Sequence, residues 1–420
     1  DRAQMTAGFT YINGVGEFTG SATDSYGTTI TAADADYSDG GNYLGESFIP
    51  FFYYVRPVND KFSIGLGVFV PFGTNTDYDD DFVGGGFADE TSLTSIEIAP
   101  TFAYKVNDQL SIGGGLDIVY MEGLLSKSVD SIPGVVAPSY AGFENHYEVK
   151  GDDWGYGWNF GAYYKLSDAT TLGLTYRSEI EINLEGDSEF EKEFFYFDST
   201  ANGGLGGVDT FGNIRAQASE VPITTPASAT LAITHQATDK LLLQAGTTWT
   251  GWSSFQSFDV IATENTGGMV LHPTLGLVPS DGEIDISDVS QINGLDAGYI
   301  GHIDERWVDV WAIALGGTYQ LNDKLALRAG YAYDQSPVRD DFRTARVPSS
   351  DRQWLTFGAG YVIDADLSFD VAAGYLFMNP MSLKEVNKAN DNTATASQTS
   401  VTGEYEIDVF GLSAQVNYKF

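Results

Sequence analysis

Three arginines stand where binding chemistry is available: Arg177, Arg328 and Arg352. Each sits in a segment where apolar residues alternate with small or polar ones. By parity each falls on the non-apolar side, with Asp117, Glu179, Asp334 and Asp370. A guanidinium in a largely apolar enclosure binds a carboxylate through charge-assisted, often bidentate hydrogen bonds. Two uses of that bond stay open here. The arginines receive the carboxylate of a ligand, or they pair with the chain's own acids and brace the interior. Lys165 is a weaker candidate of the same kind.

Little other chemistry is encoded. The four histidines, His146, His235, His272 and His302, show no zinc-type H-E-x-x-H spacing, and there is neither a G-x-S-x-G elbow nor a P-loop. Cysteine is absent, which removes thiol catalysis, disulfides and cysteine–zinc sites. The chain reads as a non-enzyme with no cofactor and no metal. Dense acidic runs (Asp77, Asp79, Asp80, Asp81; then Asp281, Glu283, Asp285, Asp288) offer oxygen ligands for Ca²⁺, but without EF-hand spacing they read as solvated surface. With 58 acidic residues against 21 Lys and Arg, the net charge of −37 repels phosphate backbones and argues against nucleic-acid partners.

The elements that must position these residues are strands. Leu110, Ile112, Leu116, Ile118 and Tyr120 alternate with Ser111, Gly113, Gly115, Asp117 and Val119. The same period of two runs from Leu325, Leu355 and Leu367. The second face is rich in Gly, Ser, Thr and Ala, whereas a solvated sheet face carries more Lys and Glu. Tight polar turns at Asn59-Asp60-Lys61, Asn107-Asp108-Gln109, Ser167-Asp168, Thr238-Asp239-Lys240, Asn322-Asp323-Lys324 and Asp364-Ala365-Asp366 alternate with long loops near 20–43, 74–91, 126–150, 187–220, 257–305, 338–350 and 382–402. Short turns on one side and long loops on the other mark an outer-membrane barrel. Hairpin counting gives about 14 strands, starting near 3, 44, 61, 93, 110, 152, 171, 222, 240, 306, 325, 350, 367 and 403. The fold class is therefore all-β, a transmembrane antiparallel barrel forming a single domain over 1–420. An even count puts both termini on the periplasmic side. Tyr120, Tyr176, Trp249, Tyr319, Tyr361 and Tyr418 lie near strand ends, as interfacial girdles require. A charge facing lipid at the midplane costs about 2–4 kcal/mol, so the arginines point inward.

Several segments, in order along nearly the whole chain, resemble the FadL family of outer-membrane long-chain fatty-acid transporters. They are Gly151-Asp152-Asp153-Trp154-Gly155-Tyr156-Gly157-Trp158-Asn159, Tyr176-Arg177-Ser178-Glu179-Ile180, Trp249 to Gln256, Asp334-Gln335-Ser336-Pro337-Val338 and Asp351-Arg352-Gln353-Trp354. The resemblance implies an N-terminal hatch of about 40 residues plugging the barrel. Asp1-Arg2 looks like the segment just before the first strand, so that plug is expected to be missing from this chain. It also implies an outer groove between the third and fourth long loops. Those loops carry Ile132, Val135, Val136 and Phe143, then Phe190, Phe194, Phe195 and Phe197. It further implies an inward kink in the third strand that opens the wall sideways. Pro71, Phe72 and Gly73 suit such a kink, because proline removes a ladder hydrogen bond; a strand that simply ends at Pro71 is the other reading. The implied function is passive uptake of hydrophobic compounds, long-chain fatty acids first and aromatic or aliphatic hydrocarbons second. The implied partners are that ligand, outer-membrane lipid and lipopolysaccharide, with a monomer as the default. A general porin and a barrel that merely anchors a receptor are the alternatives from other classes.

Overall fold

The computed structural model describes all residues except 1, 25–26, 129–145, 191–193, 198–209, 215, 265–268, 273–275, 280–284, 288–297 and 387–398. Its architecture starts at six tight turns, built by one repeated device. In each, a side-chain oxygen of Asn59, Asn107, Ser167, Thr238, Asn322 or Asp364 accepts from the backbone N–H groups two and three residues on. Short polar side chains that bond their own backbone reverse the chain within a few residues.

Between these turns and the long loops run fourteen antiparallel strands, closed into a barrel. They are β1 (Gln4–Thr23), β2 (Glu46–Pro57), β3 (Phe62–Phe69 and Gly73–Asp77), β4 (Glu90–Lys105), β5 (Leu110–Ser128), β6 (His146–Lys165) and β7 (Thr170–Arg177 and Ile180–Phe190). The second half comprises β8 (Gln217–Thr225 and Ser228–Thr238), β9 (Leu241–Thr250 and Ser257–Ala262), β10 (Tyr299–Asp304 and Val310–Gln320), β11 (Leu325–Asp334), β12 (Arg352–Val362), β13 (Leu367–Met378 and Met381–Val386) and β14 (Ser400–Lys419). Closure is the pairing of β1 with β14, from Gln4↔Lys419 to Thr23↔Ser400. Both chain ends thus meet at the tight-turn end. The expected strand count and order hold. Starts differ most at β6, β8 and β10, which begin at 146, 217 and 299 where 152, 222 and 306 were expected. These strands continue beyond the apolar belt into loop-like sequence that no longer alternates.

The alternation sorts residues as expected. Leu116, Trp158, Leu231, Ile313, Leu315, Phe357 and Leu412 are exposed on the outside, while Asp117, Val119 and Met121 are buried within. Exposed apolar rows on a closed barrel belong against lipid.

Six strands are broken at mid-height: β3 at 70–72, β7 at 178–179, β8 at 226–227, β9 at 251–256, β10 at 305–309 and β13 at 379–380. Each break has replacement bonds or a change of register. At β7 the alternation shifts by one, so Ile180, Ile182 and Leu184 are buried inside and Glu179 is exposed. Parity carried through an unbroken strand had placed Glu179 inward; the break corrects that. The inward step also explains the glycines of β6. Trp154, Tyr156 and Trp158 face out, and Gly155 and Gly157 face in under the side chains of Ile180 and Ile182. A Cβ on Gly155 would lie 2.5 Å from both Ile180 Cγ2 and Ile182 Cγ1. Gly155→Val is therefore expected to destabilise the barrel by about 1–3 kcal/mol through overpacking. Urea unfolding in detergent micelles measures this, and an unchanged midpoint would refute the stacked arrangement.

Candidate functional site

The lumen has three levels. At the tight-turn end it is polar and small-residue lined. Arg328 Nη1 lies 2.7 Å from Asp370 Oδ1, whose partner oxygen accepts Asn417 Nδ2 at 2.7 Å and Gln415 Nε2 at 3.1 Å. A cavity of about 410 Å³ opens here, lined by Gln244, Thr318, Arg328, Thr356, Asp370 and Gln415 among others.

At mid-height, Glu97 of β4 and Asp117 of β5 share the guanidinium of Arg177 on β7. Arg177 bonds Glu97 directly and stands 3.3 Å from Asp117 Oδ2; Asn159 Nδ2 donates to Asp117 Oδ1 at 2.5 Å. Both carboxylates are essentially inaccessible, at 1% and 0% exposure. The Arg177 guanidinium also lies 5.5 Å over the Phe69 ring. Phe69 is the last residue of the first half of β3 and pairs with Glu97. The next pair is Gly73↔Thr94, so three residues of β3 face two of β4, a bulge. Ser95 replaces the lost ladder bonds: its hydroxyl donates to Phe72 O at 2.5 Å and accepts from Phe72 N at 3.1 Å. β2 pairs with β3 only from Phe52↔Val68 to Pro57↔Ser63. Among the described residues, Gly73–Asp77 of β3 pairs with β4 alone, and Glu46–Phe51 of β2 with β1 alone. The β2–β3 seam thus parts after Val68, just before Pro71, and the strand continues beyond it.

The loop end is packed from inside. One apolar cluster includes Val119, Met121, Val149, Ile182, Leu184, Val221, Phe255 and Phe258; a second includes Phe18, Tyr43, Tyr78, Phe82, Leu383 and Tyr405. Phe72 reaches the first through an edge contact with Trp252, centroids 5.9 Å apart. The loop joining β11 to β12 folds inward across the lumen. Its Arg346, only 4% exposed, donates to Thr91 Oγ1 at 3.2 Å, and Thr76 Oγ1 donates back to Arg346 O at 3.0 Å. Ala345 N donates to Glu385 Oε2 at 2.9 Å. Glu305, 0% exposed, accepts Thr344 Oγ1 and Trp307 Nε1, both at 2.9 Å.

The expected lumen residues are thereby placed. Arg177, Arg328 and Arg352 each have an acidic partner, the last being Asp334 at 3.0 Å. Lys165 sits at the turn end beside Asp168, 2.8 Å away. Of the outer-groove residues, Ile132, Val135, Val136 and Phe143 lie outside the described residues. Phe194, Phe195 and Phe197 lie in a short strand, Phe194–Phe197, paired with Thr210–Ile214. Phe190 packs on Tyr147, centroids 5.2 Å apart. The acidic run is partly structural: Asp81 Oδ1 accepts Ser38 Oγ at 2.5 Å, and among the described residues no acidic or histidine group is arranged to hold a metal. Glu97, Ser95, Glu305 and Arg346 were missed. Glu97 carried a signal, an acid between two isoleucines (Ile96 and Ile98) in an alternating segment. Arg346 and Glu305 lie in segments without periodicity.

Known proteins share this architecture. "Outer membrane protein P1" of Haemophilus influenzae is 28% identical over all of this chain and 86% of its own length. The "Long-chain fatty acid transport protein" of Escherichia coli is 27% identical, covering 90% of this chain and 78% of its own. The crystal structure of a Pseudomonas aeruginosa FadL homologue superposes with a TM-score of 0.80 at 26% identity, covering 100% of this chain and 91% of the other. The Pseudomonas putida toluene transporter TodX shares the fold, with a TM-score of 0.62 at 20% identity over 100% of this chain and 90% of its own. The sequence profile of the family described as "Outer membrane protein transport protein (OMPP1/FadL/TodX)" matches residues 1–420, and the chain belongs to that family of outer-membrane proteins.

Proposed function

We propose that this protein takes up long-chain fatty acids through the outer membrane by passive diffusion. The ligand is captured among the long loops, held against the apolar clusters of the outer half, and released sideways where β3 parts from β2. The observation that carries this reading is the break at Val70–Phe72. It removes β2–β3 pairing above it, beside a residue, Phe72, that packs into the apolar interior. A backbone detour within the hydrocarbon zone is tolerated where its polar groups are satisfied, and Ser95 satisfies those of Phe72. The Escherichia coli relative named for long-chain fatty acids supports the substrate class.

A second reading, uptake of neutral aromatic or aliphatic hydrocarbons, is favoured by the pairing of all three lumen arginines with the chain's own carboxylates. A ligand acid would have to displace one of them. The experiment that separates the two is uptake of labelled oleate and labelled toluene by cells lacking their own transporter and expressing the full-length protein. Saturable oleate uptake is expected. Toluene uptake alone would move the function to hydrocarbons, and entry of small sugars without either would replace both readings with a porin.

The route has its own test. Deleting Pro71 makes two residues face two between Phe69↔Glu97 and Gly73↔Thr94. That straightens β3 and lets it pair with β2. Uptake should fall to background while the barrel stays folded by circular dichroism. Uptake at the native rate would overturn the sideways exit.

A further inference from the structure

At the break in β3 the charges do not balance. Glu97 and Asp117 are both buried, both face inward, and share one guanidinium, Arg177. The arginine's capacity is already divided between them, while among the described residues Glu97 Oε1 and Asp117 Oδ2 have no hydrogen-bond donor. Asn159 donates to the other Asp117 oxygen, and as a neutral amide it adds no positive charge. On the β2 side the facing titratable group is Tyr53, whose ring lies 5.9 Å from Phe69 and which is coupled electrostatically to both Glu97 and Arg177. Among the described residues the cluster therefore carries one more acid than base. It also sits at the gap itself, since Glu97 pairs with the last residue before the break and Ser95, two residues away, holds Phe72.

We propose that Glu97 and Asp117 are specificity-determining residues that make this exit exclude anions, so that ligands pass it uncharged. A hydrocarbon or alcohol passes as it is. A carboxylic acid passes as the neutral acid, having taken a proton from water, and its carboxylate is turned back by two acids that Arg177 alone does not neutralise. Repulsion of this kind is strengthened where solvent is scarce. The inference rests on the sideways exit proposed above and names which ligand form that exit admits.

The test compares two probes of one shape, labelled laurate and labelled dodecanol, in cells lacking their own transporter. Initial uptake is measured at pH 6 and pH 8 for the native protein, Asp117→Asn and Glu97→Gln. Each variant leaves Arg177 one carboxylate partner, so the ion pair that braces the lumen persists; folding is checked by circular dichroism. The laurate-to-dodecanol ratio at pH 8 should rise several-fold in both variants, and the native protein's loss of laurate uptake between pH 6 and pH 8 should flatten. If dodecanol enters but the ratio and the pH profile match the native protein's, Glu97 and Asp117 are braces only and the inference is overturned. If neither probe enters through the native protein, the exit itself is refuted, and the inference with it.

Discussion

In hydrocarbon no water is present to satisfy a backbone N–H or C=O, and every departure from a closed ladder must be repaired from within the protein. This constraint explains why β1 and β14 pair over their whole lengths, from Gln4↔Lys419 to Thr23↔Ser400. It also explains why the breaks come with serines and glutamines. Ser95 bonds both polar groups of Phe72. Ser178 accepts Trp158 N while its own N–H reaches Trp158 O, each at 3.0 Å. Gln335 Oε1 accepts Trp311 N at 2.9 Å beside the break in β10. At these three breaks a polar side chain takes over the ladder's role. That is what allows strands to step inward and shape an interior.

The same constraint governs charge. The lumen arginines meet acids across the inner wall: Asp334 pairs directly with Arg352 across β11 and β12, and Arg328 reaches Asp370 two strands away. These two pairs stay partly exposed; at the buried Glu97 and Asp117, removing Arg177 would leave uncompensated buried charge, which is far more costly than the pair itself is favourable. The group of Arg177, Glu97 and Asp117 departs from one-to-one pairing, and it does so at the break in β3.

Much of the fold was legible in the sequence because lipid imposes a period of two on every strand and the turns repeat one local chemistry. Leu116 out and Asp117 in follow from spacing alone. Legibility stopped where strands break. Ser178-Glu179 interrupts β7 and shifts the phase, so parity misplaced Glu179, and the glycines at Gly155 and Gly157 had meaning only once Ile180 and Ile182 were seen above them. The loop-end interior was the least readable. Arg346 meets Thr76 and Thr91, and Thr344 meets Glu305, across large sequence separations set by the barrel's curvature, not by any local pattern.

The division of the lumen bears on which way a hydrophobic molecule leaves. Its outer half is packed with apolar side chains such as Met121, Ile182 and Phe258. Below the Arg177 group the inner face turns to Gln244, Thr318, Arg328, Thr356, Asp370 and Gln415 around a cavity of about 410 Å³. An alkyl chain moving straight down would exchange an apolar surface for a more polar one and lose at most roughly 0.8 kcal/mol for each methylene, the value for transfer into water. Moving sideways at Phe72 it would exchange one apolar environment for another. For the sideways route proposed above, the gradient along the axis and the parted seam beside it favour the same direction.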